Sequence, residues 1–200
     1  MNKIIILFLL FTAFCFSQNF NAGIICGINT SQVSGDNLSG FNKIGPRMGG
    51  FVNYPIGNLD ILLELQYLTQ GSKKLTNIDD LNLDFINNYH FHLEYIGIPM
   101  LVSMRFQKNI KIELGTSINF LIRQKEEIDF YIDNSREVNN IEFSILAGVN
   151  YQLNKKIILN TRLTNSLIPI RAHASGETYK LNKGQYNTGL SFSLYYYLTN

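Results

Sequence analysis

From Lys111 to Arg123 the chain alternates strictly between apolar and polar side chains. Ile112, Leu114, Thr116, Ile118, Phe120 and Ile122 fall on one face. Lys111, Glu113, Gly115, Ser117, Asn119 and Arg123 fall on the other, and only Leu121 interrupts the rule. Asn140 to Leu153 repeats the pattern, with Ile141, Phe143, Ile145, Ala147, Val149, Tyr151 and Leu153 opposite Asn140, Glu142, Ser144, Gly148, Asn150 and Gln152. Successive side chains of a strand point to opposite faces, so a period of two over this length predicts a strand with one oily and one polar side. The same reading predicts six more strands, over about Phe20–Thr30, Ile44–Tyr54, Asp60–Gly71, Tyr89–Phe106, Lys156–Asn165 and Gly184–Leu198. In the fourth strand the oily positions shift from Tyr89, Phe91, Leu93 and Tyr95 to Ile98, Met100, Val102 and Met104, which predicts a β-bulge near Ile96-Gly97.

The connections alternate in length. Short ones fall at Pro55–Leu59, Gln107–Ile110 and Asn154–Lys155, and longer ones at Ser31–Lys43, Ser72–Asn88, Gln124–Asn139 and Ser166–Lys183. Short turns on one rim and long loops on the other describe an all-β fold, an eight-stranded antiparallel up-and-down transmembrane barrel. A soluble, lipocalin-type barrel would alternate with the opposite sense, so sidedness has to be argued separately. The polar stripe carries Glu64, Arg105, Glu113, Arg123, Glu142 and Arg162, while most lysines fall in turns. Arginine paired with glutamate suits an enclosed network, because the guanidinium fork matches a carboxylate and is weakly hydrated. Gly23, Gly27, Gly115, Gly148 and Gly189 share that stripe, as expected where a narrow lumen leaves little room. Tyr54, Tyr67, Tyr95, Tyr151 and Tyr196 lie near strand ends, where an interfacial girdle is expected. The oily rows are therefore expected to face lipid.

The start of the chain adds a destination. Met1-Asn2-Lys3 is a short cationic segment, and Ile4 to Phe16 is an apolar run too short to cross a bilayer. Cys15 and Ser17 are small residues at −3 and −1 of a cleavage site before Gln18, so residues 1–17 read as a signal peptide and 18–200 as the barrel domain. A membrane anchor is the alternative; lipidation of Cys15 is opposed by Phe14 before it. Cys26 is then the sole remaining cysteine, so no internal disulfide or CxxC redox site is available. Only 16% of the 200 residues are charged and the net charge is +2, which disfavours nucleic acid as a partner.

Three stretches carry a family likeness: GGFVNYPIGNLDILLELQYLTQGSKK (Gly49 to Lys74), YIGIPMLVSMRF (Tyr95 to Phe106) and FSILAGVNYQL (Phe143 to Leu153). Together they resemble the PorT-like outer-membrane β-barrel family across nearly the whole of residues 18–200. The resemblance implies an eight-stranded barrel in the bacterial outer membrane; the secretion role of one relative does not follow from it. Many such barrels end on an aromatic residue, whereas here Tyr195-Tyr196-Tyr197 is followed by Leu198-Thr199-Asn200.

Candidate chemistry is sparse. His90, His92 and Glu94 alternate on one strand face and could hold a divalent metal, with His173 as a distant third ligand. Polar residues of the lumen or loop base are the plainer reading, so no metal and no cofactor are expected. Asp79, Asp80 and Asp84 form an acidic loop in which calcium is a minor alternative, and Cys26 reads as a small apolar residue. No nucleophile motif accompanies the three histidines, so catalysis is not expected. The expectation is a monomeric, non-enzymatic barrel in contact with outer-membrane lipid, binding a protein partner or surface ligand through its long loops or serving secretion. A small porin-like channel lined by the Arg/Glu set remains open. So does a soluble periplasmic barrel with a hydrophobic ligand, although the absence of Trp removes the lipocalin G-x-W motif.

Overall fold

The computed structural model describes residues 20–36, 38, 40–74, 88–133, 135–173 and 184–198. The proposed signal peptide and the Asp79, Asp80 and Asp84 loop lie outside them. Among the described residues there are nine strands: β1 (Asn21–Ser34), β2 (Lys43–Ile56), β3 (Leu59–Lys73), β4 (Tyr89–Gln107), β5 (Ile110–Ile128), β6 (Tyr131–Ile132), β7 (Ile141–Gln152), β8 (Ile157–Ser166) and β9 (Tyr186–Tyr197). β6 is a two-residue strand paired only to the tip of β5. The other eight pair antiparallel with their chain neighbours, and β1 closes on β9 from Gly23↔Tyr197 to Ser34↔Tyr186. Closure leaves no free sheet edge along the barrel wall, so the ladders there satisfy the backbone without water.

Alternation sets the two surfaces as the sequence predicts. Along β3, Leu59, Ile61, Leu63 and Leu65 are exposed, while Asp60, Leu62, Glu64 and Gln66 are buried. Ile24, Met48, Val52, Met100, Leu114, Ile145, Leu163 and Phe192 continue the exposed row around the circumference. A continuous apolar belt of this kind marks a lipid-facing surface rather than a wetted one. On β3 it runs from Leu59 to Tyr67, matching the ~9–11 residues that a tilted strand needs to cross a bilayer. Tyr54, Tyr151 and Tyr196 point outward near the short-turn end of the belt.

The fourth strand corrects the expected bulge. β4 keeps one parity throughout: Phe91, Leu93, Tyr95, Gly97, Pro99, Leu101 and Ser103 are buried, and Ile98, Met100, Val102 and Met104 are exposed. One irregularity lies instead on β5, where Glu94 pairs with Arg123 but Tyr95 pairs with Leu121, leaving Ile122 as the extra residue, and a second lies at the short-turn end of β4, where Phe106 is the extra residue between Arg105↔Lys111 and Gln107↔Ile110. Tyr95 is accordingly inside the barrel and fully buried, not in an interfacial girdle.

β3, β4 and β5 run on past the belt at the long-loop end. Above Leu68, β3 no longer pairs with β2, although it stays paired with β4 up to Lys73↔His90. It leans over β1 instead, whose Asn29 Nδ2 and Ser31 Oγ donate to the Thr69 and Gly71 carbonyls at 2.9 and 3.0 Å. Gly71 has φ +128, and a Cβ there would lie 2.0 Å from the Phe91 carbonyl oxygen, so the crossing requires glycine. Val33, Leu68, Phe91, Leu93, Tyr95, Val138 and Ile170 fill the space beneath as an apolar plug.

Candidate functional site

The lumen holds the main concentration of polar chemistry. Arg162 on β8 lies between two carboxylates: its Nη1 and Nη2 donate to Glu64 of β3 at 2.8 and 2.9 Å, and its Nε donates to Glu113 of β5 at 2.6 Å. Arg47 on β2 donates from Nη2 to the same Glu64 at 3.2 Å and from Nε to Gln66 at 2.7 Å. Tyr195 of β9 accepts from both guanidiniums at 2.9 Å and donates to Glu64 at 2.8 Å. Asn150 and Asn160 complete the shell of Glu113 at 2.7 and 2.8 Å. Two guanidiniums balance two carboxylates here, and each is at most 2% exposed. Every charge therefore has fork geometry or several neutral hydrogen-bond partners around it, acceptors for the guanidiniums and donors for the carboxylates, as a desolvated ion requires. Gly148 makes room for this cluster, since a Cβ there would stand 2.6 Å from Glu113 Oε1.

Glu142 occupies a separate layer nearer the long loops. It is 2% exposed and accepts from Asn119 Nδ2 (3.1 Å), Ser144 Oγ (2.6 Å) and Asn187 Nδ2 (2.6 Å). Among the described residues no cation pairs with it. Above the apolar plug, Arg171 grips Glu126 with both Nη atoms, stacks 4.1 Å over the Phe91 ring, and meets Tyr89, whose hydroxyl donates to Glu126 at 2.5 Å. Lumen network, plug and clamp thus follow one another along the barrel toward the long loops.

Of the six network residues expected from sequence, Glu64, Glu113, Glu142 and Arg162 are in the lumen. Arg123 is not: the extra residue at Ile122 reverses the parity of β5, and Arg123 points outward with a side chain 68% exposed, 3.7 Å from Glu94. Arg105 keeps inward parity but sits below Ser103 at the mouth of the short-turn end, where it is solvent-exposed rather than enclosed. Arg47, Asn160 and Tyr195 complete the network without having been singled out. Their signal was available: Arg47 alternates with Gly45, Gly49 and Phe51, and Asn160 with Arg162.

His90, His92 and Glu94 face away from the lumen, above the apolar belt. His92 Nε2 lies 3.2 Å from Glu94 Oε1, whereas His90 turns to Glu127 at 3.5 Å, and His173 packs against Gly35 elsewhere. Burial first, and then the nearby Lys43 charge, push both imidazoles below the ordinary histidine range. Among the described residues no three ligating groups converge on a metal position. A cleft of about 450 Å³ opens beside the clamp, lined by Asp36, Lys74, Tyr89, Glu126, Asp133 and Arg136.

The clamp carries a pH prediction. Burial would raise the Glu126 carboxyl, but hydrogen bonds from Arg171 and Tyr89 outweigh it and hold the group below its ordinary 4.5. A carboxyl depressed on folding stabilises above its unfolded value and loses that contribution as the pH falls through the folded one. Protection factors of amides at the β5 tip are therefore expected to be constant above 4.5 and to drop below it. Glu126→Gln should lower them at neutral pH and remove the acid dependence; a wild-type-like profile in that variant would rule the clamp out.

A family model described as outer membrane protein beta-barrel domain matches residues 16–172. No curated protein matches the chain in sequence. Among solved structures the fold is similar to Ail, the attachment invasion locus protein of Yersinia pestis, with TM-score 0.52, 11% identity, and 89% of this chain and 98% of that one covered. It is similar to Neisserial surface protein A, with TM-score 0.51, 16% identity, and 88% and 96% covered. Ail in complex with the heparin analogue sucrose octasulfate aligns with TM-score 0.50 and 11% identity over 90% and 99% of the two chains. At these identities the likeness is one of fold.

Proposed function

Because this chain belongs to the outer membrane protein beta-barrel domain family and spans the bacterial outer membrane as an eight-stranded barrel, we propose that it is a non-enzymatic surface-binding barrel whose long loops do its work. Short turns face the periplasm in such barrels and long loops face outward. The observation that carries the reading is the contrast between the two compartments. The lumen is filled by the Arg47–Glu64–Arg162–Glu113 cluster and the apolar plug, so the barrel serves as a rigid pedestal. The extracellular end instead presents charged side chains and a cleft on strands that rise beyond the membrane belt. Loops held on a rigid scaffold are where binding chemistry concentrates.

A polyanion is the first ligand class to test. Lys73, Arg123 and Lys125 project from the outside of the β3–β5 extension, and the similarly folded Ail was solved with a sulfated sugar. The purified barrel in nanodiscs is expected to bind sucrose octasulfate saturably, and the double variant Arg123→Gln with Lys125→Gln to weaken that binding at least tenfold while keeping heat-modifiable gel mobility. Replacement of 129–136 by a Gly-Ser linker, which spares Val138 of the plug, should likewise leave the barrel folded but abolish capture of its surface partner. If neither change alters any binding or surface phenotype, the reading fails. The second reading is secretion-associated, and the three PorT-like stretches motivate it. A third, the small channel, requires unitary conductance in planar bilayers that shifts on Glu113→Gln, and silence is expected.

A further inference from the structure

The periplasmic end carries a second concave site, separate from the loops. A bowl of about 510 Å³ opens along the barrel axis, within the ~300–1,000 Å³ range of ligand sites. Every barrel strand contributes to its wall, from Asn21 on β1, through Asn53, Asp60, Arg105, Lys111, Gln152 and Ile158, to Tyr197 on β9. Acyl chains outside the barrel are thus walled off from it. Its floor is the aromatic cluster of Phe51, Tyr195 and Tyr197, with Phe51 and Tyr197 edge to face at 5.0 Å, which separates the bowl from the lumen network.

Two features of the wall point to the chemistry of an occupant. The first is charge. Around this rim stand Arg105, Lys108, Lys111, Lys155 and Lys156, and among the described residues Asp60 is the one acidic side chain against them, in a chain that is otherwise nearly balanced. Lys111 is paired with Asp60, whereas Arg105 and Lys155 have no acidic partner among the described residues. Cations converging on a low-dielectric concavity focus a positive potential into it. The second is an orphan acceptor. Asn53 is 3% exposed and donates through Nδ2 to the Tyr197 hydroxyl at 3.2 Å, but its Oδ1 has no hydrogen-bond partner. A buried acceptor without a donor costs about 1–3 kcal/mol, which a ligand N–H recovers. A fully ionised inorganic anion such as sulfate satisfies the cations but offers Asn53 no donor, and the P–OH of phosphate is a hydroxyl rather than an amide N–H. An acidic peptide supplies both, with carboxylates for Arg105 and Lys155 and an amide N–H for Asn53.

We propose that the periplasmic bowl is a docking site for an acidic peptide segment of a periplasmic partner, with Arg105 and Lys155 as the charge contacts and Asn53 as the backbone reader. The site is independent of the surface-binding reading, because its residues are at the opposite end of the barrel and none is shared.

The test uses the full barrel in zwitterionic nanodiscs, titrated with a fluorescent tetraglutamate peptide, its tetraglutamine counterpart and inorganic phosphate. Saturable binding of the glutamate peptide is expected, at least tenfold tighter than the glutamine peptide, and falling steeply with salt. Arg105→Gln with Lys155→Gln should weaken it at least tenfold, and Asn53→Leu should weaken it without changing the salt dependence. The two charge sites are solvent-exposed, so that double variant is expected to keep its gel mobility. Lys108→Gln with Lys156→Gln, on the same rim outside the bowl, is the control and should change the affinity less than threefold. Equal binding of both peptides, equal losses in both double variants, or binding of phosphate alone would overturn the proposal. So would binding of the barrel to anionic phospholipid vesicles through Arg105 and Lys155 without any saturable peptide binding.

Discussion

Replacing Arg162 by methionine is expected to lower the stability of the folded barrel by about 3–5 kcal/mol, the usual cost of removing one partner from a buried ion pair. Arg162 is 1% exposed and is the residue through which Glu64 and Glu113 are joined. Without it Glu64 keeps Arg47 and Tyr195, but Glu113 is left with only the Asn150 and Asn160 amides and no cation. The measurement is the urea midpoint of unfolding followed by heat-modifiable gel mobility. A second variant isolates the cause. Arg162→Met combined with Glu113→Leu removes one charge of each sign and leaves the Arg47–Glu64 pair balanced, so it should recover a large part of the loss. Recovery stays incomplete, because the Asn150 amide loses its acceptor and the Asn160 amide keeps only Asn150 Oδ1. If the single variant unfolds at the wild-type midpoint, the cluster does not hold the barrel together. If the double variant is as unstable as the single one, lost packing rather than unpaired charge is responsible.

Arginine at position 63 should be the most costly change on the outer surface. Leu63 is 50% exposed and lies midway along the belt that runs from Leu59 to Tyr67. On a surface facing hydrocarbon, Leu63→Arg costs about 2–4 kcal/mol, whereas Leu59→Arg, at the belt edge, costs about 0–1. The same substitutions on a wetted barrel would both be nearly neutral, since Leu59 is exposed to a similar degree at 41%. A depth-dependent difference in unfolding free energy measured in lipid vesicles is the expected result, and equal values for the two variants would contradict a lipid-facing belt.

Strand number, alternation and the enclosed carboxylates Glu64, Glu113 and Glu142 were legible because a period of two is a local property that survives in a closed barrel. What was not legible depends on events between strands. The extra residue at Ile122 shows in the sequence only as the break of alternation at Leu121, which does not by itself say that the parity beyond it is reversed, yet it turns Arg123 from lumen to exterior. The apolar run Phe91, Leu93, Tyr95 reads as lipid-facing until β3 and β4 are seen rising beyond the membrane, where the barrel mouth must be filled with apolar side chains to stay dry. Arg47 was legible by parity alone, since it alternates with Gly45, Gly49 and Phe51 on the inward row of β2, where small residues suit the narrow lumen. Arg171 and Val138 come from long connections without periodicity, so their place over the plug follows only from tertiary structure.

The wiring of the ion cluster also bears on how the chain is assembled. Arg47 arrives with the second strand, but its hydroxyl acceptors Ser191, Ser193 and Tyr195 arrive only with the last. Until β9 zips onto β1, that guanidinium lacks half of its hydrogen-bond partners, and a half-inserted hairpin must carry an under-solvated cation toward oil. The chain is thereby disposed to stay wet until late, with insertion and ring closure coupled into one cooperative event.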